Sequence, residues 1–430
     1  MQTGGFRSPA LAAIVCLLAF APEGSRADDV AVGSLRLRGG YDANPQLLPG
    51  GRASAFAGLD AAFALGRSDD ADISRTGLTG EFQRADYAAR GILPSERARV
   101  ALEAETDAAA GWTLKSSTSA ESVRSYNLRA FDAVQSLRAR RRDGPVQPFV
   151  VAELRYATLN ETNAILVDFL PEDQRFVRGT LVPGLSVKTD RGEAGISVNL
   201  SATRYAQEPD LFGFRRNNER LQPYLFYRLD EDTIAFSAAV SRLYGVWHDI
   251  DFTDLRTTLF DLSLTLKGRG SPWTLDLAAR REVGDTSFPI SPVTVSEIYS
   301  GKLSYAPGGA WSVAALARWQ RTGYRDSPFS TSVLGYGISA RYDLGGGWSA
   351  GAELMRIASS ALSGEPADGG VLTLSLTRRF DLSGLTAKTP PRDAAATIIK
   401  RTAAMPSSAQ SGGPLKDPMP APSISSQTVY

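Results

Sequence analysis

The sequence predicts an all-β fold: a transmembrane antiparallel up-and-down β-barrel of 16–18 strands. Three observations predict it. Many segments alternate apolar and polar residues, their connections are alternately short and long, and tryptophans recur directly after short turns. In residues 334–344 every second side chain is apolar, so a strand there has one apolar and one polar face. Such segments behind a secretion signal are typical of a barrel with lipid outside and water inside.

The N-terminus predicts a secretory signal peptide over residues 1–27. Arg7 precedes an apolar run at 10–21, and small residues at Ser25 and Ala27 mark a cleavage site after Ala27. Cys16 lies inside this peptide, so we expect a mature chain without disulfide, thiolate nucleophile or cysteine-ligated metal. Residues 28–33 are then a short periplasmic leader, and the predicted location is the bacterial outer membrane.

The first predicted strand, 34–41, has leucines on one face and arginines on the other. It ends in Gly-Tyr-Asp-Ala-Asn-Pro at 40–45. A first strand with this ending resembles the second β-barrel porin family of proteobacterial outer membranes, although Ala43 stands where we expect Ser. The strand layout resembles that family over most of the predicted barrel, 34–382. The resemblance implies an outer-membrane barrel and carries no substrate with it.

The next strands are predicted with unequal clarity. The second strand covers 53–65, and the alternation is noisier between 72 and 142, where a helix over 97–110 is the alternative because that segment is rich in Ala and Glu. From 196 onward the alternation is regular. The further predicted strands before that point are 73–82, 97–106, 112–117, 128–137, 149–156 and 176–187.

The connections predict the orientation of the barrel. Short ones lie at 190–193, 230–232, 268–272, 307–309 and 345–347, and longer ones lie between them at 206–219, 249–254, 284–292, 325–330 and 359–368. Outer-membrane barrels have short periplasmic turns and longer external loops. Counting through gives 18 strands, with 16 equally defensible, and an even number places both ends of the barrel in the periplasm.

Four tryptophans each begin a strand after a short turn, which predicts an aromatic belt at one membrane interface. Phe149, Tyr305, Tyr342 and Phe380 are predicted beside them. The alternative, aromatic residues closing the core of a soluble β-sandwich, would not require this shared position. The belt candidates are Trp112, Trp273, Trp311 and Trp348.

Beyond the barrel, residues 383–430 are rich in Pro, Ala and Ser, a composition that predicts a disordered periplasmic tail. One or two helical turns at 394–404 are the alternative.

The search for chemistry finds one histidine, His248, beside Asp249 at the predicted external end of a strand. A base oriented by a carboxylate could activate water, but a solvated loop histidine is the favoured interpretation. The acidic pairs at 69–70, 172–173 and 231–232 lack calcium-loop spacing, and the glycines at 345–347 lack a phosphate-binding context. We therefore predict no catalytic residue, no metal and no cofactor.

The inward face carries the remaining candidates, charged residues of both signs that strand parity places toward the lumen. The alternative role for each of them is structural pairing inside the barrel. These pore-lining candidates are Arg36, Arg38, Glu153, Arg155, Asp261, Lys267, Asp276, Arg280, Arg341, Asp343 and Arg379.

The sequence therefore predicts a porin-like channel for passive passage of small or medium polar solutes, with saccharides as one candidate, and no enzyme. A closed structural or surface-interaction barrel is the alternative, and an outer-membrane hydrolase using His248 is the third. Expected partners are outer-membrane lipid, the machinery that assembles such barrels and a small polar solute. The near-zero net charge of +1 gives no reason to expect nucleic acid, and no oligomeric state is indicated.

Overall fold

The computed structural model describes residues 28–48, 50–68, 74–108, 111–125, 128–161, 173–189, 191–288, 291–360 and 366–381. These residues form eighteen strands: β1 (Asp28–Asp42), β2 (Ser54–Ser68), β3 (Ser74–Tyr87), β4 (Ser95–Ala108), β5 (Trp112–Arg124), β6 (Leu128–Arg141), β7 (Val146–Glu161), β8 (Gln174–Lys188), β9 (Gly192–Tyr205), β10 (Asn218–Asp230), β11 (Ile234–Trp247), β12 (Leu255–Lys267), β13 (Trp273–Asp285), β14 (Val293–Tyr305), β15 (Trp311–Tyr324), β16 (Ser330–Gly345), β17 (Trp348–Ser360) and β18 (Pro366–Asp381).

The strands close into one barrel. Each strand pairs antiparallel with the next along the chain, and β18 returns to pair with β1, where Leu37 lies opposite Leu376. The predicted up-and-down barrel is confirmed, with the larger of the two strand counts. Among the described residues no helix is long and apolar enough to cross a membrane.

The two faces of the wall differ as the alternation predicts. On β16, Ile338 is 62% exposed and Tyr336 44% exposed although both are apolar. On β12 and β13, Thr265 donates to Asp276 on the inner face at 2.8 Å, while Leu264 and Leu277 line an apolar groove of about 490 Å³ on the outer face. An apolar outer surface of this kind is that of a barrel surrounded by lipid. It is interrupted on β5 and β6, where the outward side chain of Gln135 hydrogen-bonds to Thr118 and Ser116.

Two predicted boundaries differ from the structure. β1 begins at Asp28, so residues 28–33, predicted as a leader, belong to the first strand and pair with β2. The helical alternative for 97–110 is wrong, because β4 runs from Ser95 to Ala108. Its apolar side chains Val100 and Leu102 face outward, and Arg97 on the other face forms an ion pair with Glu121 of β5 at 2.9 Å.

The connections alternate in length around most of the barrel; the exception is the β5–β6 connection at 125–127, which is as short as the β4–β5 turn at 109–111. The β16–β17 turn is the tightest, and Gly345, Gly346 and Gly347 have φ of 80°, 57° and 80°, a left-handed conformation that glycine adopts without steric cost. The long loops lie at the opposite end. Of these, 162–172 and 361–365 lie outside the described residues, as do the predicted signal peptide and the predicted tail.

All four belt tryptophans begin a strand at the end with the short turns. Trp273, Tyr305 and Trp311 form a row across β13, β14 and β15, with ring centroids 4.5 and 5.5 Å apart. The placement of Phe149 beside this belt is wrong. Its ring is 4% exposed and packs inside the barrel with Tyr224, because the outward parity of β7 belongs to the even-numbered residues.

The 40–45 motif closes the long β1–β2 loop against β18. Asn44 accepts through its carboxamide oxygen from the N–H of Leu48 at 3.2 Å. Its amide nitrogen donates to the carbonyls of Leu48 at 2.8 Å and Asp368 at 3.2 Å. The N–H of Asn44 donates to the carboxylate of Asp42 at 2.9 Å. The motif therefore holds one external loop to the strand that closes the barrel.

Candidate channel interior

The strand register places all eleven charged candidates on the inner face of the wall. Several pair across neighbouring strands there. Asp60 on β2 forms ion pairs with Arg36 at 2.6 Å and with Arg38 at 3.0 Å. Asp261 forms an ion pair with Arg280 at 2.9 Å. Paired charges of opposite sign are what a water-exposed inner wall requires. That these residues line a path for solute stays a prediction.

A basic recess lies on the inner wall of β16, β17, β18 and β1. Along one row of the register, Arg341 lies opposite Gly351, Gly351 opposite Ser375, and Ser375 opposite Arg38. Two small residues thus form a floor between two arginines about three strand spacings, or roughly 14 Å, apart. Arg341 also lies close enough to Arg379 for their like charges to repel. Asp343 and Glu353 face the same region and Arg38 pairs with Asp60, so the recess carries charges of both signs with the arginines in excess.

At its external end the hairpin of β13 and β14 separates from β12 and stays paired with β15 as far as Thr294 opposite Tyr324. Pairing between β12 and β13 stops where Phe260 lies opposite Arg281, yet β13 and β14 stay paired as far as Asp285 and Val293. We call residues 282–288 and 291–295 the inward tip. Because β12 continues without a β13 partner from residue 259 to 255, the tip is free to bend away from the lipid.

The inward tip packs against the inner face of β11 and β12. Val283 and Val293 are 3% and 0% exposed, in one cluster with Trp247 of β11 and Leu255 and Leu259 of β12. On regular parity both valines would face lipid. Their burial against the inner wall shows that the tip lies inside the barrel.

The inward tip also reaches the inner wall of β7, β8 and β10. The carboxylate of Asp285 accepts from Arg178 of β8 at 2.6 Å and from Arg220 of β10 at 3.0 Å, and Arg155 of β7 lies 3.9 Å away. Arg178 and Arg155 stack over the ring of Phe176, at 5.4 and 5.8 Å. One carboxylate thus holds three arginines from three strands, all nearly inaccessible to solvent.

Two further contacts clamp the inward tip. Glu161, the last residue of β7, accepts from the hydroxyl of Thr286 and from the N–H of Ser287 at 3.0 Å, and its own N–H donates to the Ser287 hydroxyl at 2.8 Å. Arg216, in the β9–β10 loop, forms a fully buried ion pair with Asp210 at 2.8 Å. Arg216 also donates to three main-chain carbonyls of the tip region, those of Thr286, Phe288 and Ser291.

The neighbouring external loops join above the inward tip. In the β11–β12 loop, Thr253 donates through its hydroxyl to Asp326 of the β15–β16 loop at 2.6 Å and through its N–H at 3.1 Å. Arg325 donates to the Thr253 hydroxyl at 3.0 Å. The loops flanking β13 and β14 therefore meet each other, and the hairpin between them turns inside.

Sequence reasoning identified Glu153 and Arg155 as inward charges but missed Asp285, Arg178, Arg220 and Arg216. A signal existed for Asp285. The odd-numbered residues of β13 face lipid from Trp273 to Leu277, so regular parity would put a carboxylate on the lipid side. Because a charged side chain on the lipid face is costly at mid-depth, this conflict of parity pointed to Asp285, but it is not decisive near a strand end, where the outward Glu219 of β10 pairs with Arg204 in a strand that stays in the wall.

His248 lies in the β11–β12 loop, 44% exposed, with its Nε2 3.7 Å from the carboxylate of Glu219. This is the solvated environment that was favoured for it. Within the described part of the chain, no group of three His, Cys, Asp or Glu side chains could hold a metal ion.

No family model matches this chain, and no curated protein matches it. Solved structures that resemble it include a BenF-like porin from Pseudomonas fluorescens Pf-5, 10% identical with a TM-score of 0.45, covering 82% of this chain and 99% of that one. The outer membrane protein opdK from Pseudomonas aeruginosa is 12% identical with a TM-score of 0.42, covering 81% and 99%. The siderophore receptor PirA from Acinetobacter baumannii is 7% identical with a TM-score of 0.44, covering 83% and 81%. Likeness at this level says nothing about what this chain transports.

Proposed function

We propose that this chain is a channel of the bacterial outer membrane through which small or medium polar solutes, including saccharides, pass without energy input. The observation that carries the proposal is the closed eighteen-strand wall, mostly apolar outside and charged inside. Barrels of about 16–18 strands are wide enough to leave an aqueous channel. Membership in the porin family that the 40–45 motif resembles is part of the same proposal.

The path is proposed to run beside the inward tip, along the basic recess. The tip contacts β7, β8 and β10, and β8 lies nine strands from β17 in a ring of eighteen, which is the opposite wall. Arg341 and Arg379 are exposed, whereas Arg155 and Arg178 are covered by the tip. Among the described residues, the inward tip narrows the lumen at the external end from the side of β7 to β10, and solute meets Arg341 and Arg379 on the opposite wall nearer the short-turn end.

The experiment is a reversal-potential measurement on Arg341→Glu in planar bilayers under a salt gradient. If Arg341 lies beside the conducting path, exchanging its charge shifts the reversal potential toward cation selectivity, because fixed wall charges bias which ion passes. The shift shrinks at high salt, since the Debye length falls from about 10 Å at 0.1 M to about 3 Å at 1 M.

Arg141→Glu is the matched control, because Arg141 is an exposed arginine on the outer face of β6 near the short-turn end. It leaves the reversal potential unchanged if the wall charges act through the lumen. An equal shift in both variants, or an assembled wild type that passes no current, contradicts the channel.

The second candidate is a closed structural barrel, and the buried contacts of the inward tip favour it. Asp285, Arg178 and Arg220 form a tightly packed ionic cluster inside the wall, which a barrel without transport would also use for rigidity. Absence of conductance in every variant would make this the better account.

A further inference from the structure

Five strands carry an exposed, outward-facing arginine in their external half for which, within the described ranges of the chain, no carboxylate lies within 4.0 Å. We call them the external arginines: Arg124, Arg129, Arg242, Arg256 and Arg321. Other outward arginines at this level are paired, as Arg204 is with Glu219 at 2.8 Å. Glu96 and Glu297 lie opposite Arg124 and Arg321 in the register, but their ion pairs are with Arg84 and Arg281. The external arginines thus keep positive charge available in the external half of the lipid-facing wall.

Arg124 and Arg129 form the clearest pair. They are the last outward residue of β5 and the first of β6, and they lie directly opposite each other in the register. Like charges opposite each other on one face of a sheet destabilise it. Two guanidinium groups side by side are instead stabilised when they share an anion, because charge-assisted hydrogen bonds to phosphate oxygens are short and strong.

A second pair lies on β11 and β12. Arg256 is opposite Tyr244, and Arg242 is opposite Thr258, whose hydroxyl it contacts at 2.9 Å. The two arginines are therefore diagonal neighbours on the same outer face, with an aromatic ring beside them. Two outward arginines thus lie close together in a second sector of the wall, here diagonally and not directly opposite each other.

The height of the external arginines fits a lipid headgroup layer. From Trp311 to Arg321 the strand advances about 33 Å at 3.3 Å per residue, which a tilt of 35–45° reduces to about 25 Å along the barrel axis. The apolar band of such barrels is about 25 Å tall. Aromatic side chains lie on the lipid side of the arginines, where the rings of Phe131 and Tyr156 are 6.3 Å apart.

We propose that the external arginines bind the phosphate groups of an anionic lipid in the outward-facing leaflet, with Arg124 and Arg129 as the principal site. The inference rests on the outer-membrane placement and orientation of the proposed function. Guanidinium groups match phosphate oxygens in a bidentate geometry. The apolar wall below them accepts the acyl chains of the same molecule, so the site selects a lipid and not a free anion.

The test measures retention of lipid A by the full-length folded protein in detergent, using native mass spectrometry. Arg124→Gln combined with Arg129→Gln removes the principal site, and we expect retention to fall about tenfold, the loss of one to two charge-assisted hydrogen bonds. Arg141→Gln is the control, because Arg141 is an outward arginine on the same hairpin at its other end, opposite Trp112. It should retain lipid A as the wild type does.

The ligand source is decided by competition. Inorganic phosphate in excess should displace little lipid A, and lipid A with its phosphates removed should bind about as weakly as lipid A binds to the double variant. Equal retention by wild type and double variant overturns the proposal, as does equal binding of the dephosphorylated lipid.

The lipid site and the channel function can be contradicted independently of each other. A barrel that passes no current yet loses lipid A only in the double variant contradicts the channel and supports the lipid site. A conducting barrel whose double variant keeps lipid A at the level of the wild type contradicts the lipid site alone.

Discussion

At the scale of single residues, one rule describes this wall: consecutive residues of a strand face alternately the outer surface and the lumen. Leu264 contributes to the apolar outer groove, and Thr265, the next residue, hydrogen-bonds inside to Asp276. The same rule explains why a pair of adjacent positions can differ so much in tolerance to charge.

We therefore expect Leu264→Arg to impair barrel assembly far more than Thr265→Arg. Arginine at mid-depth on the lipid face costs about 2–4 kcal/mol, whereas arginine at 265 meets water and the carboxylate of Asp276 at short range. Migration of boiled against unboiled protein on a detergent gel measures the folded fraction. Equal or reversed damage in the two variants would mean that the faces are assigned the wrong way round.

Much at this scale could be predicted from the sequence, because alternation is a local property. Parity alone placed Arg341, Asp343 and Arg379 on the inner face. It failed for the environment of Phe149, since an aromatic ring near a strand end suits both an interface and an apolar cluster inside the barrel. The contacts with Tyr224 that decide between them come from strands far apart in sequence.

At the scale of elements, the separation of the inward tip from β12 is the feature that the alternation could not predict. Val283, Val293 and Val295 alternate with smaller or polar residues as lipid-facing side chains do. An apolar inner wall formed by Leu255 and Leu259 satisfies them equally well. Periodicity reports that a face is apolar and does not report which apolar surface covers it.

The tip is held by contacts that are costly to break. Removing one partner of a buried ion pair costs about 3–5 kcal/mol, and Asp285 serves three arginines. If the tip nevertheless moves during conduction, locking it should change the current. Ser287 and Glu161 offer the site, because the Ser287 hydroxyl lies 2.8 Å from the N–H of Glu161.

We expect the double variant Glu161→Cys with Ser287→Cys to carry less current when oxidised and to recover on reduction. The sequence's single cysteine, Cys16, lies in the predicted signal peptide, so no third thiol should compete. Single-channel recording with and without reductant is the measurement, and each single cysteine variant is a control. Identical currents in both redox states would show that the tip is a fixed part of the channel.

At the scale of the whole molecule, the fold depends on closure. β18 pairs with β17 on one side and with β1 on the other. It thereby satisfies main-chain hydrogen-bond donors and acceptors of three strands, which the hydrocarbon of a bilayer could not satisfy. The predicted tail begins after this strand. Its composition change was visible in the sequence, and β18 ends at Asp381, next to the predicted boundary at 382.

Deleting residues 388–430 should leave insertion intact, because β18 remains whole. Deleting 371–430 removes most of β18, leaves β17 and β1 with open edges, and should abolish insertion. Fractionation of membranes combined with the boiled and unboiled gel comparison distinguishes the outcomes. Loss of insertion in the shorter deletion would make the tail part of the fold.

The contacts of the inward tip also bear on the order in which the parts of the barrel fold. The contacts of Asp285 with Arg220 and Arg178 join residues 65 and 107 positions apart. Contacts so distant in sequence form late, because the chain loses the entropy of a long loop before the contact contributes any stabilisation. The wall pairs neighbour with neighbour, so it can be complete before the tip settles. We expect the newly closed barrel to have a wide interior first, and to acquire its narrow external entrance as the last step of folding.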